Sequence, residues 1–226
     1  MAAAARKTDT AEGRAKIMAA AIEEFSRYGV DGTTLRQIAA RAGLQHQLIV
    51  YHFKTKDALW KAVVSDICDT AQEELYRLDA VDGDPAQLLR LLVHGFVAFT
   101  ARHPQLHRML TFEGRTDSER LRWWMHELSS GFYAASSKLI RAAQRAGTAR
   151  TGHPGRLHYA MIGMITTSFV FEYEYRALTG LDPFGETEIE AVAELACDFL
   201  GLPSRVRARS RVARLARAPQ LSARTR

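Results

Sequence analysis

The sequence predicts an all-α protein, in which a small N-terminal helical unit is followed by a larger helical unit. Through most of the 226 residues, apolar side chains recur at intervals of three and four, which is the period of a helix face. No stretch of useful length alternates apolar and polar residues as a half-buried strand would. With 47% hydrophobic and 25% charged residues, the chain has an ordinary globular composition and can bury a sizeable core.

Changes in composition divide the chain into four regions. The first residues are small and basic, residues 81–85 combine Gly, Asp and Pro as an interdomain loop would, and the C-terminal segment has eight Arg and no acidic residue. The predicted regions are a disordered basic arm at 1–8, a first helical domain at 9–60, a second helical domain at 61–203 and a disordered Arg-rich tail at 204–226.

Residues 33–59 predict two short helices joined by a tight turn. Thr34 followed by Gln37 matches a capping box, in which two side chains satisfy unpaired backbone groups at a helix start. Gly43 ends this helix, because glycine enters the left-handed conformation without a steric penalty. A second helix is expected over residues 45–52. Such a pair is a helix-turn-helix, which places its second helix in the major groove of DNA.

The polar side of this second helix carries residue types that read DNA. Glutamine can bind adenine through two hydrogen bonds, histidine can donate to guanine or a phosphate oxygen, and leucine can contact a thymine methyl group. A following helix begins near Thr55, and its early lysine is placed to meet a phosphate. We expect base-edge contacts from Gln45, His46, Gln47, Leu48, Tyr51 and His52, and phosphate contacts from Thr34, Arg36 and Lys56.

The same stretch resembles the DNA-binding domain of the tetracycline-repressor (TetR) family. Its order Thr-x-x-x-Ile-Ala-x-x-Ala-Gly-Leu, then a short helix, then His-Phe-x-x-Lys-x-x-Leu, has the family's spacing across residues 10–60. Two positions depart from the family pattern. Gln47 stands where a small residue or proline is common, and Val50 stands where the family commonly has a phosphate-binding tyrosine. Valine cannot donate that hydrogen bond, and Tyr51 and His52 can take over part of the contact.

The resemblance implies a homodimeric, ligand-responsive transcriptional regulator, which acts as a repressor at a palindromic operator and is released by a small-molecule effector. In the family, the last two helices of each subunit form a four-helix dimer bundle. Helices expected near residues 86–102, 105–113, 117–146, 155–179 and 186–200 match that order. The predicted bundle positions are Leu157, Met161, Ile165, Ile189, Val192, Ala196 and Phe199. The alternative is that these residues pack only within their own subunit.

The middle of the second domain is rich in aromatic residues and methionine. Such residues form core by default, but an apolar pocket with a few polar groups is also what holds a small lipophilic ligand. Because the resemblance implies effector binding in this domain, we expect a lipophilic effector there. The candidate contacts are Phe96, Phe99, Met109, Phe112, Trp123, Trp124, Phe132, Tyr133, Met164, Phe171 and Tyr175.

Charge is segregated along the chain. Residues 1–60 carry nine basic and six acidic side chains, and the second domain is acidic overall, as expected if only the first domain meets phosphates. The tail at 204–226 is either simply disordered or attracts nucleic acid without sequence preference. An alternative function is therefore an effector-free nucleic-acid-binding or architectural protein that uses the helix-turn-helix and the basic tail.

Other classes of site find little support in the sequence. Cys68 and Cys197 are far apart without metal or redox spacing, which favours free thiols and a cytoplasmic protein. His103 and His107 are four residues apart, but no Cys or carboxylate cluster completes a metal site. Neither a catalytic motif nor a cofactor motif is present, which argues against an enzyme. The apolar run at 159–171 is too short to span a membrane.

Overall fold

The computed structural model describes the backbone of residues 2–75 and 83–202 and, within them, the side chains of residues 11–69 and 83–202. The described residues form helices joined by short turns and contain no strand, so the all-α prediction is confirmed. Residues 81–82 of the expected interdomain loop and the Arg-rich tail at 204–226 lie outside the described residues.

Four helices form the N-terminal domain: α1 (Ala2–Tyr28), α2 (Leu35–Ala42), α3 (His46–Phe53) and α4 (Lys56–Leu75). The first helix contacts the other three. Their shared core is made of fully buried apolar side chains, which include Ile17, Phe25, Ile38, Ile49 and Trp60. Burial of this kind is the main stabilising contribution to such a small helical unit, and α2 and α3, with 8 residues each, are too short to persist in water without it.

The first helix is longer than the sequence analysis predicts. It begins at Ala2, so residues 2–8 form its first turns, where a disordered arm was expected. The segment opens with a run of alanine, the residue with the highest helix propensity. A helix nucleated further along the chain can therefore extend backward through this run at little cost.

The predicted capping box at the start of α2 is confirmed. Thr34 Oγ1 accepts a hydrogen bond from Gln37 N at 3.2 Å, and Gln37 Oε1 accepts one from Thr34 N at 2.8 Å. At the other end Gly43 has a φ of 66°, and Leu44 N donates to Ala39 O at 3.0 Å. This left-handed ending satisfies carbonyls that the last turn leaves free, and it sets the turn into α3.

The second domain follows in the order α5 (Pro85–Arg102), α6 (Pro104–Glu113), α7 (Glu119–Trp124), a π-helical turn (Met125–Ser129), α8 (Ser130–Arg145), α9 (Pro154–Val170), α10 (Glu172–Thr179) and α11 (Glu186–Leu200). The central helix is α5, which contacts α8, α9 and α11. No helix in the described ranges is long and apolar enough to cross a membrane.

The helix predicted over residues 117–146 is present as α7, the π turn and α8 in direct succession. In the π turn, Ser130 N donates to Met125 O, one residue further back than in an α-helix. Ser130 Oγ donates to His126 O at 3.0 Å and so satisfies a carbonyl within this widened turn. Single π turns of this kind often occur at functional sites.

The helix predicted over residues 155–179 is divided at Phe171 into α9 and α10. Arg108 of α6 donates from Nη2 to Phe169 O at 3.1 Å, and it pairs with Glu172 at 3.0 Å. In a continuous helix that carbonyl would accept from the backbone N–H of residue 173. The guanidinium therefore stabilises a break that the periodicity of the sequence does not reveal.

We expect Thr34→Ala to lower the free energy of unfolding by about 1 kcal/mol, because Gln37 N loses its acceptor. Thr34→Ser keeps the hydroxyl and serves as the matched control, which should unfold close to the wild type. Urea denaturation followed by circular dichroism measures both. Equal losses in the two variants would show that the hydroxyl does not cap α2.

Candidate DNA-binding face and effector cavity

The recognition helix α3 has one side on the N-terminal core and the other in solvent. Ile49 and Phe53 are buried. Gln45, Gln47 and Tyr51 are exposed, and Tyr51 keeps 74% of its surface in solvent. These three side chains lie on the face from which base contacts are predicted, and the buried pair anchors that face to the domain.

Leu48 does not share that exposed position. It is half-buried and packs against the core, and a Cβ added at Gly13 of α1 would lie 3.2 Å from Leu48 Cδ2. Burial of a branched apolar side chain on α1 is favourable, so this placement corrects the predicted groove-facing orientation. His46 and His52 are also half-buried, and in the described part of the chain His52 Nε2 is buried without a hydrogen-bond partner.

The three side chains predicted to contact phosphates differ in their exposure and in the hydrogen bonds they already form within the protein. Arg36 is exposed, and Thr34 is exposed but uses its hydroxyl to cap α2. Lys56 is half-buried and donates from Nζ to Thr33 O at 2.8 Å, which ties the start of α4 to the residues before α2. An ammonium group has three protons to donate, so this tether leaves two for another acceptor.

The second domain contains a cavity of about 320 Å³ between α4, α5, α6, α7, the π turn, α8 and α9. Four predicted effector contacts line it: Phe96, Phe99, Trp124 and Phe132. The other lining residues were not predicted as effector contacts: Cys68, Leu106, His107, Leu110, Thr111, Met125, Leu128, Ser129, His158, Tyr159, Ile162, Thr166 and Val170. Three of these belong to the π turn, so the widened turn forms part of the cavity wall.

The remaining predicted contacts lie outside the lining of this cavity: Met109, Phe112, Trp123, Tyr133, Met164, Phe171 and Tyr175. Met109 is almost fully buried in the core, and Tyr175 donates its hydroxyl to Glu188. Aromatic and methionine side chains fill cores, cover domain junctions and line cavities equally well. Their residue type alone therefore could not separate these three roles.

His107 lines the cavity with a defined hydrogen bond. Thr100 Oγ1 donates to Phe96 O at 2.8 Å, which uses the only hydroxyl proton, and it lies 3.2 Å from His107 Nε2. The imidazole must therefore donate from Nε2, and Nδ1 is left as an acceptor. Burial lowers the pKa of His107 to about 4, so the ring is neutral at neutral pH.

His158 repeats this arrangement from α9. Ser136 Oγ donates to Tyr133 O at 3.1 Å and lies 2.7 Å from His158 Nδ1. With the hydroxyl proton on Tyr133 O, we assign His158 the tautomer that donates from Nδ1 and accepts at Nε2. Burial lowers the pKa of His158 to about 4. The only sequence signal for this residue was a histidine at a core-facing position of an apolar helix.

The predicted dimer seam lies inside the subunit. Leu157, Met161, Ile165, Val192 and Ala196 are buried in its core, and the two remaining seam residues, Ile189 and Phe199, are half-buried against that core. The apolar side chains at helical spacing on α9 and α11 face α5 of the same subunit, and α5 covers them. For the five buried residues, the alternative of packing within their own subunit describes the structure, and Ile189 and Phe199 stay predicted interface positions. Exposed large apolar side chains in this part of the chain include Tyr159 on α9, Leu178 on α10 and Leu195 on α11.

Arg120 of α7 joins the two domains. Its guanidinium binds Glu113 of α6 at 2.9 Å, Asp31 before α2 at 3.0 Å and Asp57 of α4 at 3.0 Å. Glu113 is only 4% exposed, and Ser118 Oγ also donates to it at 3.3 Å. A buried carboxylate requires such partners, because an unpaired charge away from water is strongly destabilising.

Two apolar contacts accompany this ion cluster. The rings of Trp123 on α7 and Trp60 on α4 meet edge to face with centroids 5.9 Å apart. Gly29 at the end of α1 lies so close to Phe112 that an added Cβ would be 3.0 Å from Phe112 Cγ. The neighbouring residue of α7, Trp124, lines the cavity. One short helix therefore contacts both the N-terminal domain and the cavity.

One group in the described part of the chain has the composition of a metal site. His94, Glu190 and Glu194 offer ligand atoms within 4.8 Å of one another. Arg90 Nη2 already binds the Glu194 carboxylate, and its positive charge opposes a cation at the same place. The cluster is accounted for as an ion-pair network between α5 and α11.

Two family models match the chain. The model of "Bacterial regulatory proteins, tetR family" matches residues 17–63, and that of "Tetracyclin repressor-like, C-terminal domain" matches residues 85–200. The chain is 29% identical over 129 residues to the HTH-type transcriptional repressor NicS of Pseudomonas putida, which is 57% of this chain and 55% of NicS. It is 31% identical over 99 residues to the HTH-type transcriptional regulator RutR of Escherichia coli, 43% of this chain and 45% of RutR. The chain thus spans about half the length of the curated relatives it matches.

Solved structures share the fold at low identity. AibR in complex with isovaleryl coenzyme A and operator DNA has a TM-score of 0.69 at 19% identity, covering 85% of this chain and 100% of AibR. A tetR-family regulatory protein from Rhodococcus RHA1 has a TM-score of 0.67 at 23% identity, covering 85% of this chain and 98% of that protein. Since the C-terminal family model alone matches more than half of the sequence and the N-terminal model matches the helix-turn-helix, the chain belongs to the TetR family of DNA-binding transcriptional regulators.

Proposed function

We propose that this TetR-family chain is a homodimeric repressor, which binds a near-palindromic operator and releases it when a small lipophilic molecule fills the cavity. The observation that supports this most directly is the position of α7. Its Arg120 and Trp123 contact the N-terminal domain, while Trp124 lines the cavity. AibR, a protein of the same fold, carries both a small molecule and operator DNA in its structure.

Operator reading is assigned to the exposed side of α3. Gln45 and Gln47 lie at its N-terminus with exposed side chains, and Tyr51 follows on the same exposed side. A side-chain amide presents a donor and an acceptor together, which matches the adenine edge in the major groove. Arg36 and Lys56 would hold the domain on the phosphate backbone, which fixes its register without reading the sequence.

Gln45→Ala and Gln47→Ala should each weaken binding to the cognate site by about 1 to 3 kcal/mol and binding to random DNA far less. The cognate site is first selected from a random library with the wild-type protein, and affinities are then measured by fluorescence anisotropy at one salt concentration. Gln105→Ala on α6 of the second domain is the matched control and should bind like the wild type. Equal losses on both kinds of DNA would remove base reading from these positions.

Dimerisation is assigned to the exposed side of α9, α10 and α11. Leu178 is 79% exposed and Leu195 57% exposed, and a Cβ added at Gly163 of α9 would meet nothing within 4 Å. Small residues on a helix face allow a partner helix to approach closely. A two-fold axis through this face would pair it with its own copy and set two recognition helices roughly 34 to 36 Å apart, one turn of DNA.

Leu195→Glu should shift the protein from dimer to folded monomer in sedimentation velocity experiments, because the charge would be buried unpaired at the interface. Leu91→Glu on α5 is the matched control, since Leu91 is 52% exposed and lies on a helix outside the proposed interface. Operator affinity should fall with the loss of the dimer. A Leu195→Glu protein that remains dimeric would place the interface elsewhere.

Ligand response is assigned to the junction around Arg120. A molecule in the cavity would displace Trp124, and α7 would carry that displacement to the carboxylates of Asp31 and Asp57, which lie beside α2 and on α4. A shift of α4 in each subunit would change the separation of the two recognition helices. The effector and the operator would then weaken each other's binding by the same factor.

The double variant Asp31→Asn, Asp57→Asn should reduce the factor by which a releasing molecule weakens operator binding, with the molecule's own affinity little changed. Both carboxylates are largely exposed, so their loss leaves the fold intact. Arg122→Gln on the same helix is the control, because Arg122 forms its ion pair with the exposed Asp117 and with no other acid among the described side chains. An unchanged factor would remove the Arg120 junction from the pathway. A broad screen of lipophilic compounds that finds no releasing molecule would favour the effector-free nucleic-acid-binding protein.

A further inference from the structure

The cavity is apolar and contains no charged side chain among its described lining residues. Its polar side-chain groups are the hydroxyls of threonine, serine and tyrosine, the indole N–H of Trp124, one thiol and two imidazoles. Burial raises the pKa of the Cys68 thiol to about 12, which keeps it neutral. A carboxylate, phosphate or ammonium group would therefore enter without an opposite charge and lose its hydration.

The two imidazoles both offer a hydrogen-bond acceptor to a molecule in the cavity. His107 and His158 each donate one ring proton to a hydroxyl of their own domain, Thr100 Oγ1 or Ser136 Oγ, and each retains one ring nitrogen with a free lone pair. No hydrogen bond within the described residues engages those two nitrogens, His107 Nδ1 and His158 Nε2. A neutral imidazole with one proton committed can only accept at its second nitrogen.

We propose that the cavity selects an uncharged, mainly apolar molecule that carries hydroxyl or N–H groups, which donate to His107 Nδ1 and His158 Nε2. This inference rests on the proposed function and specifies its effector class. Burial lowers the pKa of both histidines to about 4, so both remain acceptors at neutral pH. The selected class differs from the isovaleryl coenzyme A bound by AibR, because coenzyme A carries anionic phosphates and this lining offers no cation to them.

The selectivity can be tested with the full-length protein and the fluorescent dye N-phenyl-1-naphthylamine, which is neutral and apolar and has one N–H group. Three compounds then compete with the bound dye: 1-naphthol donates a hydrogen bond, 1-methoxynaphthalene has no donor, and 1-naphthoate is an anion at neutral pH. We expect 1-naphthol to compete at least about tenfold better than the other two, because a site built around polar groups rejects ligands that leave them unpaired.

The variants His107→Phe and His158→Phe test whether the two histidines cause the preference for 1-naphthol over 1-methoxynaphthalene. Each keeps an aromatic ring and removes the acceptor, so each should reduce the ratio of 1-naphthol to 1-methoxynaphthalene affinity, and the double variant should bring it to about one. Unreduced affinity for 1-methoxynaphthalene would confirm that the cavity remains folded. His126→Phe is the matched control, because the His126 side chain is 86% exposed and lies outside the lining, and its ratio should equal that of the wild type.

Each outcome separates the ligand class from the proposed function. Equal competition by 1-naphthoate overturns the preference for neutral molecules, and an unchanged ratio in the double variant overturns the role of the histidines. The expected order of competitors without any effect on operator affinity would support the ligand class but contradict the proposed ligand response. Failure of the wild-type protein to bind the dye or any naphthalene compound would overturn the ligand class assigned to the cavity, and the proposed operator binding and dimer would still be judged by their own tests.

Discussion

The junction between the two domains depends on the pairing of Arg120 with the buried carboxylate of Glu113. Burial alone would lower the pKa of Arg120, but its hydrogen bonds to Glu113 and Asp57 raise that pKa above its ordinary value. The guanidinium therefore stays charged and forms ion pairs with three carboxylates at once. Two of these carboxylates belong to the N-terminal domain. Without this cation, a negative charge would remain buried between α6 and α7, and the start of α4 would lose its electrostatic attachment to the second domain.

Features that depend on neighbouring residues could be predicted from the sequence, because the physical cause lies within a few positions. The capping box of Thr34 and Gln37 and the left-handed Gly43 are examples, and they define the helix-turn-helix. The break at Phe171 could not be predicted. Its cause is a guanidinium more than sixty residues away in the chain, which binds the carbonyl of Phe169. Periodicity within one helix contains no information about such a partner.

The candidate sites also contain features that could be predicted from neighbouring residues and features that depend on distant ones. Helical spacing identified Leu157, Ile165 and Val192 as apolar and buried, but spacing cannot tell a partner subunit from the subunit's own α5, and here the latter covers them. Leu48 was misplaced for the same reason, since α1 rather than the groove receives it. The aromatic composition predicted the approximate position of the cavity and four of its lining residues. The role of His107 and His158 could not be predicted from the sequence, because it depends on their contacts with Thr100 and Ser136, which only the folded structure shows.

The contact between Gly29 and Phe112 leaves little space between the end of α1 and α6. A Cβ added at Gly29 would lie 3.0 Å from Phe112 Cγ, closer than carbon atoms usually pack, so the phenyl ring would have to move by a few tenths of an ångström. A residue other than glycine at position 29 would require the Phe112 ring to shift, and it would hold a side chain at a φ of 69°, which L-residues rarely adopt. The end of α1 therefore accepts no larger residue without rearrangement of the side chain that α6 places against it.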